Sequence, residues 1–145
     1  MPRQFVKLEE NAIMPTRSTK HSAAYDFCVP AGKRYVINPG QTVKFATNIA
    51  AQMNENEYLA LHVRSSVGIK KHLQLANGTG VIDSDYFGNA DNRGNIIMAL
   101  YNYGDKVVTV EEKERIAQGI FMEYLTVDND KAKGKRTGGI GSTGK

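Results

Sequence analysis

The sequence has a single cysteine, Cys28, no tryptophan and no long apolar run among its 145 residues. One cysteine cannot form an intrachain disulfide, which favours a reducing compartment. No stretch approaches the ~18 apolar residues that cross a membrane, and Met1 to Glu10 lack the apolar centre of a signal peptide. We therefore expect a cytoplasmic protein that does not enter a membrane.

The sequence also lacks the residue clusters that hold metals directly. His21, His62 and His72 have no second ligand at metal-binding spacing. Aromatic residues are not interleaved with basic ones, as they are in sheets that bind single-stranded nucleic acid. The net charge, 19 − 15 = +4, suits an anionic small molecule. The histidines therefore do not indicate a metal site, and we expect no nucleic-acid partner.

Most of the chain alternates apolar and polar residues with a period of two. The run from Val43 to Met53 is the clearest case and predicts one strand with one buried face. Turn-forming residues such as Asn77-Gly78 separate the runs, and only Ser65 to His72 has a helical pattern. Many short strands with regular breakers predict an all-β barrel or double-sheet fold. The other predicted strands are 5–8, 25–29, 35–37, 59–63, 94–103, 107–110 and 115–125.

The composition changes after Val127. Residues 128–145 have one apolar side chain larger than alanine, Ile140. We therefore predict a β-barrel domain of residues 1–127 followed by a flexible arm of residues 128–145. The arm ends in G-I-G-S-T-G-K, which is close to a phosphate-binding loop, but neither the helix nor the metal-binding hydroxyl of such loops follows it.

Two internal stretches carry groups that suit a phosphate-containing ligand. In NGTGVIDSDYFG, residues 77–88, a carboxylate beside a tight turn can act as a general base on water, or can simply satisfy the local backbone. In RSSVG, residues 64–68, hydroxyls and first-turn N–H groups can hold an anion, or Ser65 or Ser66 can be an ordinary helix cap. Alone, neither stretch is decisive.

Five stretches taken in order resemble the motifs of the trimeric dUTPase family, in its phage or Gram-positive type. They are AAYDF, RSSVG, NGTGVIDSDYFG, RIAQ and RTGGIGSTG, and they extend from Ala23 to Gly144. The third and fifth are the most specific. The resemblance implies a distorted jelly-roll-like β-barrel and a homotrimer. It also implies shared active sites, with the arm of one chain closing over a site built by the other two.

The resemblance further implies hydrolysis of dUTP to dUMP and pyrophosphate. Asp83 matches the carboxylate that activates the attacking water, and Tyr86 matches the ring that lies under the deoxyribose. Mg²⁺ is expected to be held by the triphosphate and waters, with Asp26 either touching that water shell or structural. Residues matching the uracil pocket are Asn77, Gly80, Val81 and Ile82, and those matching triphosphate or arm contacts are Arg64, Ser65, Ser66, Gln118, Arg136, Gly141, Ser142 and Thr143.

The sequence departs from the family pattern at three places. Ile140 stands where the last motif usually has a phenylalanine that stacks on uracil, and residues 87–92, FGNADN, form an insert after Tyr86. We hypothesise that the insert supplies the missing base cap through Phe87 or Arg93, since both residue types stack on bases. The last motif is also one residue shorter before its glycines, so Arg136 is the predicted γ-phosphate contact and Lys135 the alternative.

Two other functions are compatible with this scaffold. A dCTP deaminase shares the implied fold, but such enzymes need a deaminating Glu and usually carry a Trp near the Tyr86 position, and this chain has no Trp. The second alternative is a regulatory protein that binds nucleotide and uses the insert as the surface for a protein partner. The intact Asp83 and arm favour retained hydrolysis.

Overall fold

The computed structural model describes residues 2–144 and is built almost entirely of antiparallel strands. Met1 and Lys145 lie outside the described residues. Lys145 is the last residue of the stretch that resembles a phosphate-binding loop. The strands are β1 (Gln4–Lys7), β2 (Tyr25–Cys28), β3 (Tyr35–Ile37), β4 (Thr42–Ala46), β5 (Ile49–Gln52), β6 (Glu57–Val63), β7 (Leu73–Leu75), β8 (Gly80–Asp83), β9 (Ile97–Asn102), β10 (Val108–Val110) and β11 (Arg115–Glu123).

The strands pair into four sheets in the described part of the chain. The largest has the order β2-β11-β6-β8, and a second has the order β4-β9-β7. Two strand pairs, β1-β5 and β10-β3, complete the set. The predicted all-β, jelly-roll-like fold is confirmed, and β8 lies at an edge of the largest sheet.

One helix, α1 (Ser65–Lys71), interrupts the strands of residues 2–144, and it confirms the predicted helical stretch. It has seven residues, so none of the described helical structure is long enough to cross a membrane. Its cap position is Arg64, with no side-chain cap. Of the two alternatives for RSSVG, capping of this helix by Ser65 or Ser66 is therefore not observed.

The prediction of one strand from Val43 to Met53 is also wrong. The chain leaves β4 and enters β5 at Asn48, which has φ 61°, a left-handed conformation that asparagine tolerates. The Thr47 hydroxyl donates to the Ile96 carbonyl at 2.7 Å and holds this bend. Phe45, Thr47 and Ile49 are all buried, so the period-two pattern continues across a change of sheet.

Other strand predictions also differ from the structure, and β8 is absent from the predicted strands. The strand predicted over 94–103 begins only at Ile97, because Gly94 has φ 89° and belongs to a turn. Strand β7, with three residues, was not predicted because so short a run has no clear periodicity. It matters for function because it leads into the Asn77-Gly78 turn beside the pocket described below.

The hydrophobic core lies between the sheets. Strand β11 runs between β2 and β6, and its residues Ile116, Ala117 and Gly119 are buried. Side chains with almost no exposed surface fill the core; they include Phe27, Ile37, Leu59, Leu61, Leu73, Leu100 and Ile116.

Gly119 of β11 is a test of this packing. A Cβ at this position would lie 2.9 Å from a Phe27 ring carbon and 3.0 Å from a Leu59 methyl carbon. We expect Gly119→Ala to lower the free energy of unfolding by about 1–3 kcal/mol, as overpacking does. Urea denaturation measures the change. Gly134→Ala is the matched control, because a Cβ there meets nothing within 4 Å; equal midpoints for the two variants would contradict this account.

Candidate active site

A cavity of about 230 Å³ lies between strand β8 and the arm. Its floor is apolar and its mouth carries a carboxylate. The lining residues are Leu61, Leu75, Asn77, Gly80, Val81, Ile82, Asp83, Tyr86, Ile97, Arg136, Gly139, Ile140, Gly141 and Thr143. Most of the residues predicted for base, sugar and arm contacts therefore meet in one place.

The hairpin that forms one wall follows from the local sequence. The Gly78 N–H donates to the Leu75 carbonyl at 2.9 Å and closes the turn after β7. Strand β8 then pairs with β6, with Gly80 opposite Leu61 and Asp83 opposite Tyr58. Because β8 is an edge strand, the backbone groups of its other edge are not used by a neighbouring strand.

Tyr86 is held rigidly behind Asp83. It belongs to a single 3₁₀ turn, Ser84–Tyr86, and is 6% exposed. Its hydroxyl donates to the Asn95 carbonyl at 2.6 Å and accepts from the Asn92 amide at 2.9 Å. Burial raises the pKa of Tyr86, so the side chain is a neutral phenol near neutral pH and its ring forms a fixed wall of the cavity.

Arg136 of the arm is bound to both carboxylates at the mouth. Its Nη2 lies 2.7 Å from Asp83 Oδ2 and its Nε lies 2.8 Å from Asp85 Oδ1. Its guanidinium also lies 5.6 Å from the centre of the Tyr86 ring. The side chain is only 7% exposed, against 49% for Asp83. The hydrogen bond to Asp85, with the nearby charges, raises the pKa of Arg136, which is fully charged.

The arm folds around Arg136. The Arg136 Nη1 donates to the Gly138 and Gly139 carbonyls and to the Ser142 hydroxyl, at 3.1 to 3.3 Å. The Ser142 hydroxyl donates in turn to the Gly138 carbonyl at 2.8 Å. Ser142 therefore shapes the arm and is absent from the cavity lining, whereas Thr143 lines it. In this one chain the arm lies over its own chain's cavity.

A second, more open pocket contains the other predicted phosphate contacts. It is lined by Ser18, Ser22, Ala23, Ala24, Asp26, Arg64, Ser65, Ser66, Gln118 and Ile120, and it shares no residue with the first cavity. The structure thus divides the predicted site residues into two sets.

Asp26 is the buried carboxylate of the second pocket. Arg64 lies 3.5 Å from Asp26 Oδ1 and Arg115 lies 3.4 Å from Oδ2. The Ser18 hydroxyl donates to the same Oδ2 at 3.1 Å. Asp26 is therefore paired with two arginines, of which Arg64 lines the pocket.

The two residues proposed from the sequence as a base cap lie outside both cavities of this chain. Neither Phe87 nor Arg93 is among the residues that line either cavity. Arg93 is held instead by Glu9, at 2.8 Å. Ile140, by contrast, lines the cavity and is 75% exposed.

Sequence reasoning missed several residues of the site. Leu61, Leu75 and Ile97 form the cavity floor, and nothing in their strand patterns distinguishes them from other core residues. Asp85, the second partner of Arg136, stands two residues after Asp83, and that proximity was the available signal.

No group of three or more His, Cys, Asp or Glu side chains within residues 2–144 is placed to hold a metal ion. The carboxylates in and beside the two pockets are paired with arginines: Asp83 and its neighbour Asp85 with Arg136, and Asp26 with Arg64 and Arg115. This donor set does not fit direct coordination of a cation by the protein.

Comparisons with known proteins agree on one family. Residues 10–144 match the family model described as dUTPase. The deoxyuridine 5′-triphosphate nucleotidohydrolase of Lactococcus lactis is 44% identical over 133 residues, which cover 90% of this chain and 87% of that protein. The enzyme of the same name from Escherichia phage T5 is 33% identical and covers 96% of this chain and 97% of its own. The crystal structure of the Streptococcus mutans dUTPase matches with a TM-score of 0.79 and 39% identity, over 88% of this chain and 100% of that chain. The chain belongs to the dUTPase family.

Proposed function

We propose that Asp83 activates the water with which this dUTP diphosphatase hydrolyses dUTP to dUMP and pyrophosphate. The observation that carries the proposal is the position of Asp83, half exposed at the mouth of the cavity between the β8 hairpin and the arm. The water gives a proton to the carboxylate while its oxygen bonds to the α-phosphorus. The bond from the α-phosphorus to the bridging oxygen breaks, and pyrophosphate leaves with the electron pair.

The edge of β8 supports selection of uracil. Gly80, Val81 and Ile82 line the cavity, and the unpaired edge of their strand offers backbone donors and acceptors to a base. The 4-amino group of cytosine reverses the pattern that uracil presents. Each unmatched buried polar group costs about 1–3 kcal/mol, so a few such contacts reject cytosine strongly. The fixed ring of Tyr86 is placed to lie under the sugar and exclude a 2′-hydroxyl.

The division of the site residues supports a homotrimer with shared active sites. On β6, Tyr58 pairs with Asp83 while His62 pairs with Gln118, and four residues of strand correspond to about 13 Å. We propose that Arg64, Ser65, Ser66 and Gln118 of a neighbouring chain bind the triphosphate beside Asp83. Exposed apolar side chains at and beyond the end of β11 offer surface for such contacts; they are Met122, Leu125 and Val127.

Arg136 is the proposed γ-phosphate contact. In the structure it is bound to Asp83 and Asp85, so it must exchange at least one carboxylate for phosphate when the substrate binds. That exchange would free Asp83 to hold the attacking water. Lys135, the alternative named from sequence, is exposed and lies outside the cavity lining.

Mg²⁺ is the proposed cofactor, bound through the triphosphate and waters. When bound, it offsets phosphate charge in the manner of other nucleotide-processing sites. Asp26 is the buried carboxylate of the second pocket and could contact the ion's water shell. Its pairing with Arg64 and Arg115 supports the alternative, in which Asp26 has a structural role and positions these arginines.

A panel of substrates tests the proposed function. We expect steady-state hydrolysis of dUTP with Mg²⁺ and at least ~100-fold lower kcat/KM for dCTP, dTTP and UTP. Pyrophosphate release measures the rates. Release of ammonia from dCTP would identify a deaminase instead, and binding of dUTP without turnover would identify a regulatory nucleotide-binding protein.

A further inference from the structure

We propose that the insert of residues 87–92 is a docking site for the C-terminal arm, and that Asp91 is the positioning residue that holds the arm in place. The inference rests on the proposed function, because a docked arm matters for the hydrolysis of dUTP. The insert is thus assigned a role different from capping the base.

Two hydrogen bonds join the insert to the arm backbone. The Gly139 N–H donates to Asp91 Oδ2 at 2.7 Å, and the Ala90 N–H donates to the Thr137 carbonyl at 3.3 Å. They flank Gly138. In the described arm, residues 128–144, the buried positions are Gly138 and Gly139 alone. The arm is therefore held at the glycines that precede Ile140.

The two segments pack so closely that a side chain at either glycine would require the insert to shift. A Cβ on Gly138 would lie 2.4 Å from Asp91 Oδ2, and one on Gly139 would lie 3.1 Å from the Asn92 amide nitrogen. Neither glycine has a positive φ. Close packing against the insert, rather than backbone conformation, therefore explains why glycine stands at both positions.

The insert is rigid enough to act as a dock because Asn89 organises it. Asn89 is 7% exposed. Its side-chain Oδ1 accepts from the backbone N–H groups of Asp91 and Asn92 at 3.0 and 3.1 Å. Its amide donates to the Tyr86 carbonyl at 2.8 Å. The backbone of Asp91 is thus held in a fixed position relative to the cavity, and its carboxylate reaches the arm from there.

Docking at Asp91 places the reactive part of the arm. Arg136 lies two residues before Gly138, and Ile140 follows Gly139 directly, so one contact sets the position of both. Ile140 cannot stack on a base as an aromatic ring does, so stacking cannot hold the arm in place. Contact with the insert holds it instead. The same two surfaces meet whether the arm comes from the same chain or from a neighbour.

The test is Asp91→Ala, with Asp105→Ala as the matched control on an exposed turn. A hydrogen bond to a charged group changes an equilibrium roughly tenfold to a hundredfold. We expect kcat for dUTP to fall by about tenfold or more in Asp91→Ala and to stay at the wild-type value in Asp105→Ala. Asp91→Asn keeps an acceptor oxygen and should recover part of the loss, and the melting temperature should not move in any of the three.

A second readout follows the arm without using activity. Trypsin cleavage at Lys131 and Lys133, with and without α,β-imido-dUTP, should be faster in Asp91→Ala than in the control. Equal cleavage rates and equal kcat in Asp91→Ala and Asp105→Ala would overturn the proposal that Asp91 holds the arm. If the wild-type protein does not hydrolyse dUTP, the proposed function fails while the cleavage difference without nucleotide still decides the docking contact.

The steric contact gives a further check. Gly138→Ala places a methyl group against the Asp91 carboxylate, so it should slow turnover about tenfold in the wild-type background and much less when Asp91 is already alanine. Additive losses in the double variant would show that Gly138 and Asp91 do not act together, and would overturn the proposal.

Discussion

Asp83→Asn is expected to lower kcat for dUTP by a factor of about 10²–10⁴, the usual contribution of a positioned general base. The amide has the same shape as the carboxylate but cannot take the proton of the attacking water. Pyrophosphate release under saturating dUTP measures the loss. Circular dichroism and the melting temperature should match those of the wild-type protein, because the Asp83 side chain is half exposed and contributes little to the core.

The matched control for this prediction is Asp85→Asn. Asp85 binds the same guanidinium as Asp83, at 2.8 Å, but it is absent from the cavity lining. We expect a smaller loss of turnover from this variant, since it weakens only one of the contacts of Arg136. Equal losses from the two substitutions would mean that the shared arginine, rather than a general base at Asp83, determines the rate.

Deletion of Lys135–Lys145 is expected to leave a folded protein with at least ~100-fold lower kcat. The deletion removes Arg136 and the four arm residues that line the cavity, Gly139, Ile140, Gly141 and Thr143. The loss of one fixed donor to transition-state charge alone costs about 10²–10³ in rate. The strands end at Glu123, so the core is untouched. Steady-state kinetics with size-exclusion chromatography separates lost turnover from lost assembly.

A substitution within the arm is the control for the truncation. Lys131 and Lys133 are exposed and precede the residues that line the cavity. Alanine at both positions should leave kcat within about twofold of the wild type, as expected for surface positions away from such contacts. A truncated chain with full turnover would refute the role of the arm as a lid.

The sequence predicted the residues around the cavity better than the path of the chain. Short motifs identify Asp83, Tyr86 and the β8 hairpin because each motif is local and demands particular residue types. The bend at Asn48 escaped prediction because the alternation of buried side chains continues through it. A pattern of burial reports which face is inside and not which sheet a strand joins.

The roles of side chains in the insert were equally hard to predict from the sequence. Phe87 and Arg93 were chosen because their chemistry suits stacking on a base, yet Arg93 is held by Glu9, 84 residues away in sequence. The residue that touches the arm is Asp91, whose partner Gly139 is 48 residues away. Contacts between distant segments leave no periodic trace in the sequence, so composition alone could not assign them.

The length of chain between β11 and the docked glycines determines how the arm finds a cavity. Strand β11 ends at Glu123, so residues 124–137, fourteen in number (137 − 123), connect it to Gly138. Fully extended they span about 46 Å, and as a flexible chain their root-mean-square span is roughly 20 Å. Tethering of this kind keeps the arm at a millimolar effective concentration near every cavity within reach. A weak docking contact is then sufficient for high occupancy. In the proposed homotrimer, we expect a chain that has lost its own Asp83 still to lend its arm to a neighbour.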